Sequence, residues 1–358
     1  MDKKGNSLLI TNSREVTISK TRKILSYFFS ENIIIKLKDI KNILNFFALN
    51  MYDSKQFIKS MNNRSNDKLL HNVVINTHIL EKGLSHENIR LNFGKNALKN
   101  LSENLNEFGI RHLTETEEYR YAVSVLAAYI QTHVKIDGNR PKILETFFSS
   151  DVLKDVDNRI ENPKDLELGG VFEITKESKL SNREVNFKTL AMNRYSIRNF
   201  CNEKVNMNLV IEAVKIAQKS PSACNRQASR VVVIKNVELI KKVLDIQGGL
   251  RGYQLPSVLI VNAVDLSAYS SYTDRHMGYV DSGLFTMSIV YGLEFVGLGA
   301  CLLNASFNQS KEKKIRSLIS LEENYQFTSL IAVGVIPEQT KVAKSHRLDT
   351  DKIMKVIM

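Results

Sequence analysis

Apolar residues recur at helical spacing along the first 150 residues of the chain. Stripes with this period occur at 32–49 and 96–108, and a third follows residues 114–117, where two acids suit the first turn of a helix. The stripe positions are Ile33, Leu37, Ile40, Ile43, Leu44 and Phe47, then Leu98, Leu101, Leu105 and Phe108, then Tyr121, Val125, Leu126 and Ile130. They predict a mainly helical N-terminal domain, residues 1–150, whose apolar faces form a helix-bundle core.

Residues 151–185 have a different pattern, with many charges and few apolar positions. Asn162-Pro163 and Gly169-Gly170 are turn signals within this segment. The segment has too little apolar content to order itself, so it predicts a connector.

From residue 186 onward, short β-rich runs alternate with helical stripes. The β-rich runs are 229–234, 257–264, 300–303 and 329–335, and the helical stripes are 208–218, 280–295 and 309–319. The alternation predicts an α+β domain over residues 186–358, with a mixed central sheet flanked by helices.

Composition and cysteine usage narrow the class of protein. Hydrophobic residues make up 43% of the chain and charged residues 25%, as in ordinary globular proteins. No apolar run approaches the roughly 20 residues of a membrane span, and the first ten residues lack a signal-peptide pattern. The three cysteines form no CxxC pair and no Cys/His cluster with metal spacing. We therefore expect a cytoplasmic protein with reduced cysteines, no membrane partner and no metal.

The chain is basic, and its charge is unevenly distributed. Of the net charge of +12, a share of +8 lies in residues 186–358. No tight basic cluster interleaved with aromatic residues is present, which argues against a nucleic-acid partner. A site for a phosphorylated cofactor would also use such a charge.

Two polar segments of the C-terminal half carry candidate chemistry. Arg194, Ser196 and Arg198 alternate after a predicted helix, so in an extended segment they share a face and form an anion clamp. Residues 220–227, Ser-Pro-Ser-Ala-Cys-Asn-Arg-Gln, place small and amide side chains in a loop before a strand. Either segment by itself is more often solvated surface or an ordinary loop.

Two further segments follow along the chain. Asp281-Ser282-Gly283 opens a long helix, and Gly297-Leu298-Gly299 ends it with glycines that allow close backbone approach. A buried strand then ends at Gly334-Val335-Ile336-Pro337, and Lys344, His346 and Arg347 follow within about ten residues.

In this order and at this spacing, the four segments resemble the nitroreductase family of flavoproteins over about 170 residues. The resemblance implies a nitroreductase-like fold, an intertwined homodimer, and FMN bound at the dimer interface. The residues that match the family's cofactor-binding positions are Arg194, Ser196 and Arg198 for the phosphate and ribityl chain, Lys344 and Arg347 for the phosphate, Ser222, Asn225 and Gln227 for a loop that often comes from the partner subunit, Arg251 for the pyrimidine edge, and Leu303, Asn304 and Ala305 for the backbone near flavin N5.

The family implies hydride transfer from NAD(P)H through the flavin to a small-molecule acceptor, such as a quinone, a nitro-compound or another metabolite. The flavin carries this chemistry, so no side-chain acid or base is assigned. His276 and His346 are expected to be surface residues. The sequence departs from the family after Gln227, where Ala228-Ser229 stand in place of the common Pro-Trp. Two alternatives stay open: flavin-dependent chemistry without nicotinamide (dehydrogenation, dehalogenation or flavin breakdown), and a non-catalytic interaction protein on the same fold.

The N-terminal half has a resemblance of its own. Residues 78–85, His-Ile-Leu-Glu-Lys-Gly-Leu-Ser, and 92–95, Asn-Phe-Gly-Lys, are similar to an extension of nitroreductase-like proteins from bacterial polysaccharide-biosynthesis loci. The resemblance supplies no role for this extension. Glu81, Lys82 and Gly83 either face the flavin pocket or form a helix cap and salt bridge, and the second interpretation is favoured.

Overall fold

A computed structural model describes residues 30–61, 65–162, 168–269 and 271–358. The helices are α1 (Glu31–Met61), α2 (Asn66–Leu84), α3 (Lys95–Ile110), α4 (Glu117–Asp137), α5 (Ile143–Phe147), α6 (Ser150–Glu161), α7 (Lys176–Leu180), α8 (Phe187–Asn193), α9 (Met207–Ala217), α10 (Val237–Gln247), α11 (Met277–Phe295), α12 (Gln309–Ile319) and α13 (Thr350–Ile353). The strands are β1 (Val171–Thr175), β2 (Ser229–Ile234), β3 (Val258–Asp265), β4 (Gly299–Asn304), β5 (Tyr325–Gly334) and β6 (Gln339–Ala343).

The chain divides into two units. One is Met1–Asn63 with Ser270–Arg275, and the other is Arg64–Tyr269 with His276–Met358. Two hydrophobic clusters on the sheet and a third among the helices before it belong to the second unit. The predicted domain boundaries at residues 150 and 185 stay a prediction.

Helix α1 belongs to the first unit. The prediction that its apolar stripe lies in a bundle core was wrong, because the six stripe residues are 43–66% exposed. In the described part of this unit, the other segment is residues 271–275, which is too short to cover such a face. This segment contacts α1 through a polar interaction: Arg275 donates to both carboxylate oxygens of Asp53, at 2.8 and 3.0 Å.

The helical core of the second unit follows the other predicted stripes. Leu98, Leu105 and Phe108 of α3 are buried, and so are Val125 and Leu126 of α4. Helix α4 begins after Thr116, whose hydroxyl accepts from the backbone N–H of Tyr119, and two acids occupy its first turn. The helix start predicted at residues 114–117 is therefore confirmed.

The connector 151–185 is ordered over its described residues because other elements cover it. Val152 and Val156 of α6 are buried in the helical core. Strand β1 pairs antiparallel with β6, from Val171 opposite Ala343 to Thr175 opposite Gln339. Asn162 ends α6, and Pro163 lies outside the described residues.

The central sheet has the strand order β2-β3-β5-β4. All three pairings between the described strands are antiparallel. The prediction of a mixed sheet, with some strand pairs parallel, was therefore wrong. The physical reason is the insertion of β5 between β3 and β4. These two strands run in the same direction and are joined through α11, but β5 lies between them and pairs antiparallel with both.

Both faces of the sheet are covered by helices, as the α+β prediction requires. Leu259 and Val261 of β3 pack into one core, while Val258 and Ile260 pack into the other. This alternation follows from the period of two along a strand. Helices α10 and α12 contribute to the first core, and α9 and α11 to the second. Among the described helices, none has the length and apolar content needed to cross a bilayer.

Candidate flavin site

The segment after α8 is extended and lies along the sheet. The backbone N–H of Ile197 donates to the carbonyl of Ala300 at 2.9 Å, and Ile197 is fully buried. Alternation therefore places Arg194, Ser196 and Arg198 together on the opposite face, where all three are half-buried. Arg198 makes one weak contact, from Nη1 to the carbonyl of Ser196 at 3.4 Å. The predicted clamp thus forms a single face.

Positive charge converges on β4 beside this face. Burial raises the pKa of the Cys301 thiol, while the cations Arg198, Lys82 and Arg194 act to lower it. Three positive side chains therefore lie within electrostatic range of one buried residue. Among the groups that perturb Cys301, none is acidic. Such an arrangement favours an anion.

Glu81 connects the end of α2 to the C-terminal basic segment. This side chain is fully buried. Its two oxygens accept from the Tyr121 hydroxyl at 2.8 Å, from the backbone N–H of Gly170 at 3.1 Å and from the backbone N–H of Ser345 at 3.2 Å, with His78 at 3.2 Å. Three donors on a buried carboxylate fix the path of the chain that leads to Arg347.

The C-terminal basic residues follow β6. The backbone N–H of Lys344 donates to the carbonyl of Gly170 at 3.1 Å, and Ser345 has a positive φ of 51°. Arg347 is exposed, and its Nη1 donates to the carbonyl of Ser345 at 2.6 Å. His346, predicted to be a surface residue, is half-buried: its Nε2 lies 2.5 Å from Glu117 Oε1 and its side chain is 17% exposed.

The turn that contains Arg251 and the segment of Leu303, Asn304 and Ala305 meet at the end of α10. Gln247 Nε2 donates to the carbonyl of Asn304 at 3.1 Å. Arg251 is exposed in the turn that follows, and Tyr253 of the same turn donates its hydroxyl to the carbonyl of Lys82 at 2.6 Å. Leu303 is buried, whereas Asn304 is exposed. The structure therefore links the Arg251 turn both to the end of β4 and to the end of α2.

The Ser222 loop lies at a different place. The backbone N–H of Ala223 donates to Asp281 Oδ1 at 3.0 Å, and Ser222 Oγ accepts from the backbone N–H of Gln227 at 3.0 Å. Asn225 and Gln227 are exposed. Cys224, Asn225 and Gln227 have φ values of 52°, 53° and 50°, in the left-handed region that non-glycine residues rarely adopt. Backbone strain of this kind is often found at functional loops.

Helix α11 separates this loop from the clamp. Asp281 near its start holds the loop, while Glu294 near its end lies within electrostatic range of Arg194. At 1.5 Å per residue, these two positions are about 20 Å apart along the helix. Within one chain, Ser222, Asn225 and Gln227 are therefore not brought together with Arg194, Ser196 and Arg198.

The structure adds residues that the motif search did not assign. Asn199 Nδ2 donates to the carbonyl of Ser85 at 2.9 Å, and Tyr253 stacks on His86 with ring centroids 3.7 Å apart. Lys82 is half-buried between these contacts. The signal available in the sequence was the charged pair Glu81-Lys82 between the apolar positions Leu80 and Leu84, next to a helix end.

Comparisons with known proteins agree with the resemblance of the C-terminal half. The model of the Nitroreductase family matches residues 191–252. A protein of Archaeoglobus fulgidus, whose name assigns it as an NADH dehydrogenase/NAD(P)H nitroreductase, is 24% identical over 161 residues, which is 45% of this chain and 91% of the relative.

Two solved structures illustrate the structural matches. The nitroreductase family protein of Streptococcus pneumoniae is 22% identical, with a TM-score of 0.41 over 48% of this chain and 100% of that one. A Staphylococcus epidermidis protein, whose title assigns it as an NAD(P)H:FMN oxidoreductase, is 19% identical, with a TM-score of 0.43 over 48% of this chain and 96% of that one.

The family match covers the clamp segment, the Ser222 loop and the Arg251 turn. The related Archaeoglobus sequence aligns with a length close to that of the α+β half. The C-terminal part of this chain is therefore similar to the nitroreductase family, whose model it matches over residues 191–252.

Proposed function

We propose that the protein is an FMN-dependent oxidoreductase that passes reducing equivalents from NAD(P)H to a small electron acceptor. The observation that carries this proposal is the face formed by Arg194, Ser196 and Arg198. These side chains are half-buried, and within the described residues neither Arg194 nor the Ser196 hydroxyl makes a hydrogen bond. A preformed cationic face that forms no ion pair with a carboxylate of the described residues suits a phosphate.

The residues present fit the chemistry of FMN. Arg194, Ser196, Arg198, Lys344 and Arg347 would hold the phosphate and ribityl chain. Arg251 would supply positive charge at the pyrimidine edge, and the backbone of Leu303, Asn304 and Ala305 would face N5. When bound, FMN supplies the hydride chemistry, and the protein's own task is to hold, orient and polarise it.

The site would be completed by a second copy of the chain. Ser222, Asn225 and Gln227 lie at the far end of α11 from the clamp, about 20 Å away along the helix. A two-fold dimer can bring the loop of one subunit to the clamp of the other, because each subunit then presents both surfaces. Exposed apolar side chains on α11 support such an association, among them Val280 and Leu284, which are 51% and 46% exposed.

The clamp is tested by removing two of its cations. Arg198→Ala combined with Arg347→Ala is expected to weaken FMN binding by at least about a hundredfold, because each charge-assisted hydrogen bond contributes about 1.5–3 kcal/mol. Binding is measured by titrating the apoprotein with FMN and following flavin fluorescence. The matched control is Arg90→Ala with Arg120→Ala, which removes two exposed arginines outside the site. Wild-type affinity in the clamp variant would contradict the proposal.

The shared site is tested by mixing two defective proteins. One carries Arg194→Ala and Arg198→Ala, and the other carries Ser222→Ala and Asn225→Ala. If the site is shared, mixed dimers regain one intact site of two, because one subunit keeps its clamp and the other keeps its loop. Flavin content and NAD(P)H oxidation of the mixture are then expected to exceed those of either variant. Failure of refolded mixtures to recover either signal would contradict a shared site.

A further inference from the structure

The end of α2 lies where three segments that carry predicted FMN-binding residues meet. Its Ser85 carbonyl accepts from Asn199, the neighbour of Arg198, at 2.9 Å. Its Lys82 carbonyl accepts from Tyr253, two residues after Arg251, at 2.6 Å. One turn of helix from the N-terminal half thus contacts two segments that carry predicted FMN ligands, and a third contact is made by Glu81.

The Glu81 contact brings in the C-terminal basic segment. Glu81 accepts from the backbone N–H of Ser345 at 3.2 Å, two residues before Arg347. Lys82 follows Glu81 directly, its own carbonyl accepts from Tyr253, and Ser85, which accepts from Asn199, lies three residues later. The backbone of Lys82 is therefore fixed among all three segments, and its side chain leaves the helix at their junction.

The ammonium group of Lys82 has no hydrogen-bond or ion-pair partner among the residues that the structure describes. Glu81 cannot serve, because its oxygens are occupied by Tyr121, Gly170 and Ser345. Successive residues of a helix also point about 100° apart, so the two side chains face different directions. Lys82 is nevertheless half-buried.

The electrostatic surroundings of Lys82 are unfavourable for a cation. Burial lowers the pKa of Lys82, and the positive charge of Arg198 lowers it further. Arg198, Lys82 and Arg194 also act together to lower the pKa of Cys301 on β4, and all three carry the same sign of charge. Like charges brought together out of water repel one another unless an anion lies between them.

We propose that Lys82 is a flavin-binding residue, contributed by the helical N-terminal half, whose ammonium group binds an anionic part of the flavin. Two parts of FMN carry negative oxygen that a cation could contact: the phosphate and the pyrimidine edge of the ring. The inference rests on the proposed function and extends it, because it gives the N-terminal half a place in the site. Lys82 lies outside the part of the chain that matches the family model.

The test compares Lys82→Met, Lys82→Arg and wild type as full-length apoproteins. The control is Lys99→Met, which removes one exposed lysine from α3 of the same helical core. Each protein is titrated with FMN and with riboflavin, which lacks the phosphate, and the midpoint potential of bound FMN is measured. Thermal unfolding establishes that each variant is folded.

We expect Lys82→Met to bind FMN about tenfold to a hundredfold more weakly than Lys99→Met, with Lys82→Arg between them. Loss of FMN affinity with unchanged riboflavin affinity supports a contact to the phosphate. Loss of affinity for both flavins with a more negative midpoint potential supports a contact to the pyrimidine edge.

Affinities and a potential equal to those of Lys99→Met would overturn the inference while the proposed function stands. A wild-type protein that binds neither flavin would overturn the proposed function and this inference together. The two failures are therefore distinguishable from the wild-type titration alone.

Discussion

Helix α11 carries a buried carboxylate near each end, and the two carboxylates differ in the groups that bind them. Glu294, near the end of the helix, lies against the buried ammonium of Lys179 and accepts from Asn182 Nδ2 at 2.6 Å. Asp281, near the start, accepts only from neutral groups in the hydrogen bonds described: the backbone N–H of Ala223 and the hydroxyl of Tyr269. One end is an ion pair that fixes the scaffold, and the other anchors a strained loop.

This difference teaches where the fold tolerates change. Burial lowers the pKa of Lys179 and raises the pKa of Glu294, and their mutual attraction opposes both shifts. Neither group is stable there without the other. The Asp281 end instead anchors the Ser222 loop, whose Asn225 and Gln227 are exposed. In our proposal this loop contacts the flavin of a second subunit.

The largest expected effect is at the Glu294 end. Lys179→Met leaves a buried carboxylate without its cation and is expected to reduce the free energy of unfolding by about 3–5 kcal/mol. Urea unfolding measures the change, with the exposed Lys188→Met as the control. If Lys179→Met proves too unstable to purify, Lys179→Met with Glu294→Met is expected to recover stability, because the unpaired charge is gone. A single variant as stable as the control would contradict the ion-pair role.

An intermediate effect is expected at the other end. Asp281→Ala removes the acceptor for Ala223 and Tyr269, and should reduce the free energy of unfolding by about 2 kcal/mol. It should also make the Ser222 loop more susceptible to limited proteolysis. Tyr269→Phe, which loses one hydrogen bond and keeps the ring, is the matched partial variant and should lie in between. Equal protease resistance in Asp281→Ala and wild type would show that the carboxylate does not anchor the loop.

The smallest expected effect concerns the strain within the loop. Cys224 has a φ of 52°, so Cys224→Gly is expected to be about 1 kcal/mol more stable than Cys224→Ala. In ordinary backbone the order is reversed, since glycine loses more conformational entropy on folding. Thermal unfolding of the two variants therefore reports the sign directly. Alanine more stable than glycine would mean that Cys224 is not held in the left-handed region.

Much of the fold was predictable because it depends on local pattern. The run 229–234 and the stripe 309–319 coincide with β2 and α12 in full. By contrast, α2 was not predicted, because its apolar positions are interrupted by polar residues that tertiary contacts satisfy. Helix α10 was missed although Ile240, Val243 and Leu244 form an apolar stripe at helical spacing. Glu81 of α2 is such a residue, since its buried carboxylate is acceptable only with donors from Tyr121, Gly170 and Ser345.

The candidate site was predictable in part for the same reason. Arg194, Ser196 and Arg198 share a face because strand geometry has a period of two, which the sequence displays directly. For Lys82 the sequence favoured a helix cap over the flavin pocket, because its position beside the clamp depends on contacts with Asn199 and Tyr253, more than 110 residues away along the chain. No local pattern reports such a contact.

The sequence by itself determined strands β2 to β5 and helices α9, α11 and α12 of the α+β half, the shared face of the clamp residues and the resemblance of that half to the nitroreductase family. Only the tertiary structure decided that the apolar stripe of α1 is exposed, that the end of α2 reaches the clamp and that the Ser222 loop lies at the far end of α11. The physical reason is that periodicity specifies which side of an element is apolar or charged. What covers that side depends on packing between segments that are distant in the chain.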